Sequence, residues 1–220
     1  MSLICLSPQE FVGYDILLEY LFSIITIVVA LFASKVYKIT GNRQIRLFST
    51  GFLFIFLGYI TQALFSSLIL LRGGSVVCER EIYETLLFNT LGFYSHVIFS
   101  TIGLLILVYM TFKKSKPRVL WFILTMAMIG TFYSQNIFHN FYTITTLSFL
   151  FLAWHFVENY MKKKNSKTLL VASAFVLLTI SSSLFLLAIN QPNVYVIGKL
   201  FELTAYVLII TNFYLITKVT

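Results

Sequence analysis

Apolar runs of roughly twenty residues follow one another along almost the whole chain, the helix length that crosses ~30 Å of hydrocarbon. Seven can be drawn, at about 14–34, 50–71, 85–111, 119–134, 138–160, 168–189 and 194–217. They do not alternate polar with apolar, as barrel strands do. Hydrophobic residues make up 59% of the chain and charged residues 11%, about half the charged share of a soluble domain. Mean hydropathy is +0.89. These features predict a single all-α domain over residues 1–220, a polytopic membrane protein with no soluble domain attached. Acidic residues, not basic ones, precede the first apolar run, which argues for a retained helix over a cleaved signal peptide.

The fourth and fifth spans share one long stretch, with a turn expected at Ser134-Gln135-Asn136. The loops fix how many times the chain crosses. Lys35, Lys38, Arg43 and Arg46 form one basic cluster; Lys113, Lys114, Lys116 and Arg118 a second; Lys162, Lys163, Lys164 and Lys167 a third. With Lys218 they leave only Arg72, Arg80 and Lys199 elsewhere. Basic loops stay cytoplasmic. Two crossings must then separate neighbouring clusters, so residues 119–160 form a hairpin. The expected fold is a seven-transmembrane-helix bundle, multi-pass in the cytoplasmic membrane, with the N-terminus outside and the C-terminus cytoplasmic. The acids agree: Glu10, Asp15, Glu19, Glu79, Glu81, Glu84 and Glu202 fall in the outer half, and only Glu158 near the inner surface.

The net charge of +8 is thereby assigned to topology and to anionic lipid headgroups. No basic domain protrudes to bind nucleic acid. Cys5 and Cys78 both fall on the outer side, where a disulfide is permitted and two free thiols are the alternative.

Ionisable residues inside a membrane are costly and face the bundle interior, a partner or water. Lys199 lies ~8 Å below the outer surface, Glu202 ~12 Å and Glu19 ~8 Å, so Lys199 and Glu19 share a depth. Gln62 and Ser66 on the second span reach the same level. The third span adds a stripe of Asn89, Gly92, His96, Ser100 and Gly103 on one face. Ser181, Ser182 and Ser183 come from the sixth span and Tyr206 from the seventh. Two arrangements satisfy these groups: a snorkelled or structural ion pair, or a water-reachable cavity that binds a ligand. The ligand-binding candidates are Glu19, Gln62, Asn89, His96, Lys199, Glu202 and Tyr206. Near the inner end, His155 and Glu158 are spaced for a hydrogen bond, with Trp154 and Tyr160 in an interfacial belt.

Other chemistries fit less well. His96, His139 and His155 differ too much in depth to be paired haem ligands. His96, Glu19 and Glu202 carry no zinc-hydrolase spacing. Ser95 and His96 are adjacent on a helix and do not face each other. No cofactor, metal or catalytic residue is assigned. Seven spans with a lysine in the last resemble microbial rhodopsins, but Lys199 sits near the outer end and the third span lacks the expected carboxylate. Pro8, Pro117 and Pro192 lie outside the spans, so the broken helices of transporters are not expected.

The stretch DILLEYLFSIITIVVALFASKVYKITGNRQIRLFSTGFLFIFLGYITQAL, with the closing IGKLFELTAYVLIITNFYLI, resembles the stand-alone seven-helix membrane sensor regions of bacteria and archaea. That resemblance implies sensing of extracytoplasmic or membrane-borne ligands. With no output domain before Thr220, signalling would pass through a protein partner in the membrane or cytoplasm. The expected function is thus a receptor-like binding module whose outer-half cavity takes a small or lipid-like ligand. Lys199 would contact an anionic group, balanced by Glu202 or Glu19. An accessory or structural subunit of a larger membrane complex is the alternative, and an intramembrane enzyme a third.

Overall fold

The computed structural model describes residues 11–73, 83–112, 117–134, 136–188 and 191–217. Cys5 and Cys78 lie outside the described residues. Seven α-helices follow in order: α1 Val12–Thr40, α2 Arg43–Gly73, α3 Tyr83–Thr111, α4 Pro117–Phe132, α5 Ile137–Lys163, α6 Ser166–Leu187 and α7 Pro192–Thr217. No strand occurs among the described residues.

The helix ends follow from local chemistry. Gly41 takes the left-handed conformation (φ 64°) that closes α1, donating its N–H to the Tyr37 carbonyl. Asn136 caps α5 by accepting from the His139 N–H, and Asn165 caps α6 by accepting from the Lys167 N–H. Pro117 and Pro192 open α4 and α7, where a missing N–H costs nothing.

Six helices are long and apolar enough to cross a membrane, which is the make-up of a multi-pass membrane protein. The exception is α4. Its 16 residues span ~24 Å, short of the ~30 Å core. The expected fourth span, 119–134, is present as a helix of the same length, and the chain turns after it at Tyr133 and Ser134.

Packing places α4 apart as well. Helices α1, α2, α3, α5, α6 and α7 contact one another in that sequence, and α7 returns to α1 to close a ring. The ring's core holds Phe22, Phe52, Leu107, Leu152, Phe175 and Ile209, one from each of its helices. Helix α4 packs on α3 and α5 outside the ring, with Trp121, Phe122, Met126 and Ile129 exposed. Outward stripes such as Leu17, Ile24 and Leu31 on α1 are equally apolar. Apolar side chains both inside and outside suit a hydrocarbon solvent and are costly in water.

Contact pairs fix the helix directions. Phe93 meets Phe138 and Phe112 meets Phe151, so α3 and α5 run the same way. Helix α4 returns between them, its end at Phe132 stacking on Tyr94 near the start of α3. Asp15 meets Tyr195 and Phe22 meets Tyr206, so α1 and α7 are also parallel. The odd-numbered helices share one direction. Lys35, Lys38, Arg43, Arg46, Arg118, Lys162, Lys164 and Lys167 therefore gather at one end of the bundle, and Asp15, Glu19, Lys199 and Glu202 toward the other.

Candidate functional site

The buried charges converge where α1 and α7 close the ring. Lys199 is only 6% exposed, Glu202 7% and Glu19 5%, so none of the three reaches toward lipid. The Lys199 Nζ lies 3.3 Å from Asp15 Oδ1 and 3.8 Å from Glu202 Oε2. Three rings, Phe22, Tyr195 and Phe185, stand with centroids 5.5, 5.6 and 5.8 Å from the ammonium, within cation–π range. A snorkelling lysine would have none of this enclosure.

Hydroxyls complete the network. The Tyr195 hydroxyl donates to Asp15 Oδ2 at 2.8 Å. The Tyr59 hydroxyl donates to Glu202 Oε1, and Tyr206 donates to the Tyr59 oxygen at 3.2 Å. A relay thus runs from α7 through α2 back to α7. Helix periodicity places the donors: Tyr59, Gln62 and Ser66 lie on one face of α2, and Ser66 is within hydrogen-bonding reach of Glu19.

The pairing differs from the sequence expectation in one respect. Depth alone matched Lys199 with Glu19, yet the nearest carboxylate oxygen belongs to Asp15, one turn earlier on α1. Glu19 instead turns toward α2, with its Oε2 buried and without a hydrogen-bond partner. Three carboxyls thus stand around one ammonium, and buried charge left unbalanced is costly.

A cavity of about 50 Å³ lies beside the cluster, between α2, α3, α5, α6 and α7. That volume is room for a few waters and for no larger molecule. His96 Nδ1, Ser100 Oγ, Thr145 Oγ1 and Glu202 Oε2 line it and lack hydrogen-bond partners. Three polar atoms without partners, beside the ion-paired Glu202 oxygen, are the lining that ordered water or a proton path requires. The His96 ring packs edge-on against Tyr59 and Phe141, with centroids 5.2 and 5.8 Å away.

Of the candidates read from the sequence, Glu19, His96, Lys199, Glu202 and Tyr206 come together. Gln62 stands one turn beyond Tyr59; its Oε1 is buried without a partner but does not line the cavity. Asn89 is half-buried and absent from the site: it shares the His96 face but lies ~10 Å further along α3. Asp15, Tyr59, Tyr142 and Tyr195 belong to the site and were not singled out.

One further expectation resolves differently, and one agrees. His155 Nε2 meets Asn159 Nδ2 at 2.9 Å, while Glu158 pairs with Lys162 one turn on, so the i, i+4 partners take both groups. Ser95 donates to the Gly92 carbonyl, leaving no Ser–His pair with His96. Among the described residues, no group of three or more His, Cys, Asp or Glu side chains is placed to hold a metal ion.

Comparison with known proteins finds no matching family model, no matching curated protein and no matching solved structure.

Proposed function

We propose that this chain is a receptor-like module of the cytoplasmic membrane, crossing it seven times with the N-terminus outside. Its input is the buried cluster around Lys199. The observation carrying this reading is the enclosure of one ammonium by Asp15, Glu202 and nearby Glu19 beside a water-sized cavity. Basic residues gathered at one end of the bundle support the orientation. Parallel α3 and α5 support a crossing by α4, since the chain must return between them.

The cavity's size and charge narrow the ligand. A lipid-like molecule does not fit 50 Å³. An anion would meet carboxylates already engaging Lys199. The occupant this site suits is a proton, which moves the cluster toward neutrality. The titratable groups around it are Asp15 and Glu19 from α1, Tyr59 from α2, His96 from α3, Tyr142 from α5, and Tyr195, Lys199, Glu202 and Tyr206 from α7; α6 contributes only neutral Ser181 and Ser182. A change in carboxyl charge alters the α1–α7 and α2–α7 links, and α7 carries the repacking to the basic end, where a partner protein reads it.

Spin labels at exposed Leu17 and Leu200 report the α1–α7 distance in reconstituted protein. The distance distribution should change between about pH 8 and about pH 5, and Glu19→Gln should flatten that response. A distribution unmoved by pH removes the proton from the proposal, and a change reproduced by sodium at constant pH assigns the input to a metal ion.

The second reading is a structural clasp in an accessory subunit. The paired, ring-enclosed state of Lys199 favours it. A clasp predicts that Glu19→Gln lowers thermal stability without altering a pH response.

A further inference from the structure

A second, larger pocket opens into the ring at its basic end. Its volume is about 340 Å³, at the lower bound for pockets that bury small organic ligands. All six ring helices contribute to its wall. On one side Phe156 and Phe175 are stacked, with centroids 4.7 Å apart and planes 7° from parallel, forming an aromatic wall.

The polar lining carries no fixed charge. Asn42, Gln44, Asn159 and Asn212 supply carboxamides and His155 an imidazole, and among the described residues no Lys, Arg, Asp or Glu lines the space. The neighbouring arginines are engaged elsewhere. Arg43 donates to the Tyr109 hydroxyl at 3.1 Å, and Arg46 sits over the Tyr37 ring. Three of the carboxamides also have uses: Asn42 accepts from the Gln44 N–H, Gln44 reaches the Met110 carbonyl, and Asn159 meets His155. Asn212 differs. It is only 3% exposed, lines the pocket, and its Oδ1 has no hydrogen-bond partner. A buried acceptor left empty is costly, and a ligand donor would satisfy it.

We infer that this basic-end pocket binds a flat, neutral, mostly apolar small molecule that donates a hydrogen bond to Asn212. Rings of such a ligand lie against Phe156 and Phe175, and its donor reaches the Asn212 oxygen. Ile209 and Asn212 sit on the same helix as Glu202 and Tyr206, so occupancy here bears on the helix that carries the buried charges. The assignment does not depend on the proton reading, because no residue of the cluster lines this pocket.

N-phenyl-1-naphthylamine, flat and uncharged with one N–H, is the probe. Its sulfonated relative, 8-anilinonaphthalene-1-sulfonate, adds a negative charge to the same framework. Full-length protein in nanodiscs should bind the neutral probe in excess of empty discs, and more tightly than the sulfonate. Asn212→Leu should weaken binding about tenfold, the value of one buried hydrogen bond. Ala33→Phe or Val36→Phe, which fill the space, should abolish it, and Trp121→Ala, on the exposed face of α4 away from the pocket, should leave it unchanged. Wild-type protein gives an independent measure: bound probe should protect pocket-lining Met110 from peroxide, read by mass spectrometry, while exposed Met161 still oxidises. Equal or tighter binding of the sulfonate, or unprotected Met110 at saturating probe, overturns the assignment.

Discussion

The ammonium of Lys199 on α7 lies 3.3 Å from the carboxylate of Asp15 on α1, joining the first and last helices of the ring. Both groups are largely withdrawn from solvent, at 7% and 17% side-chain exposure. Lys199→Met leaves Asp15 and Glu202 facing each other without a counter-charge. Loss of one member of such a pair should destabilise by about 3–5 kcal/mol. Asp15→Asn combined with Lys199→Met should recover part of that loss. Unfolding in a denaturing-detergent titration measures both variants; a double mutant no better than Lys199→Met shows that the two residues are not coupled.

Glycines on α2 and α3 set a second expectation. A Cβ on Gly103 would stand 2.6 Å from the Gly51 carbonyl oxygen and 2.7 Å from Ile55 Cγ1. Gly103→Ala must push the two helices apart, at a cost of about 1–3 kcal/mol. A Cβ on Gly130 of α4 meets nothing within 4 Å. Gly130→Ala should be neutral or stabilising by up to about 1 kcal/mol, as helix propensity alone dictates. The same titration compares them, and equal losses would contradict the packing described for α2 and α3.

Single cysteines, introduced after Cys5 and Cys78 are replaced, test the crossings. Asn136→Cys and Gln191→Cys should react with a membrane-impermeant maleimide in intact cells. Asn42→Cys and Asn165→Cys should react only after lysis. If Asn136→Cys also requires lysis, α4 does not cross.

The helices were legible because their signals are coarse: an apolar run long enough for a bilayer and basic residues that punctuate it. The turn before α5 was placed by Ser134 and Asn136. The short reach of α4 was in the apolar run itself, but its position outside the ring depends on which neighbours it meets, which hydropathy does not encode. Glu19, Lys199 and Glu202 stood out because ions are rare in apolar sequence. Asp15 did not, since a carboxylate near a span's outer end reads as interfacial. Tyr59 looked like any aromatic in a lipid-facing run; its place on one face with Gln62 and Ser66 was the available clue. Asn89 was included because residues seven apart share a face, although two turns separate them in height.

The glycine contacts have a mechanical consequence. Helices α2 and α3 touch backbone to backbone through Gly51 and Gly103, and a Cβ on Gly198 of α7 would meet Phe185 of α6 at 2.8 Å. The ring therefore contains two tightly seamed pairs, and α1 and α5 stand between them, the glycine near the start of α1, Gly13, touching neither and α5 having none. Tilting α1 unlatches side chains while both seams stay shut. Two staves, α1 and α5, thus lie outside the seams, and the first of them holds Asp15 and Glu19.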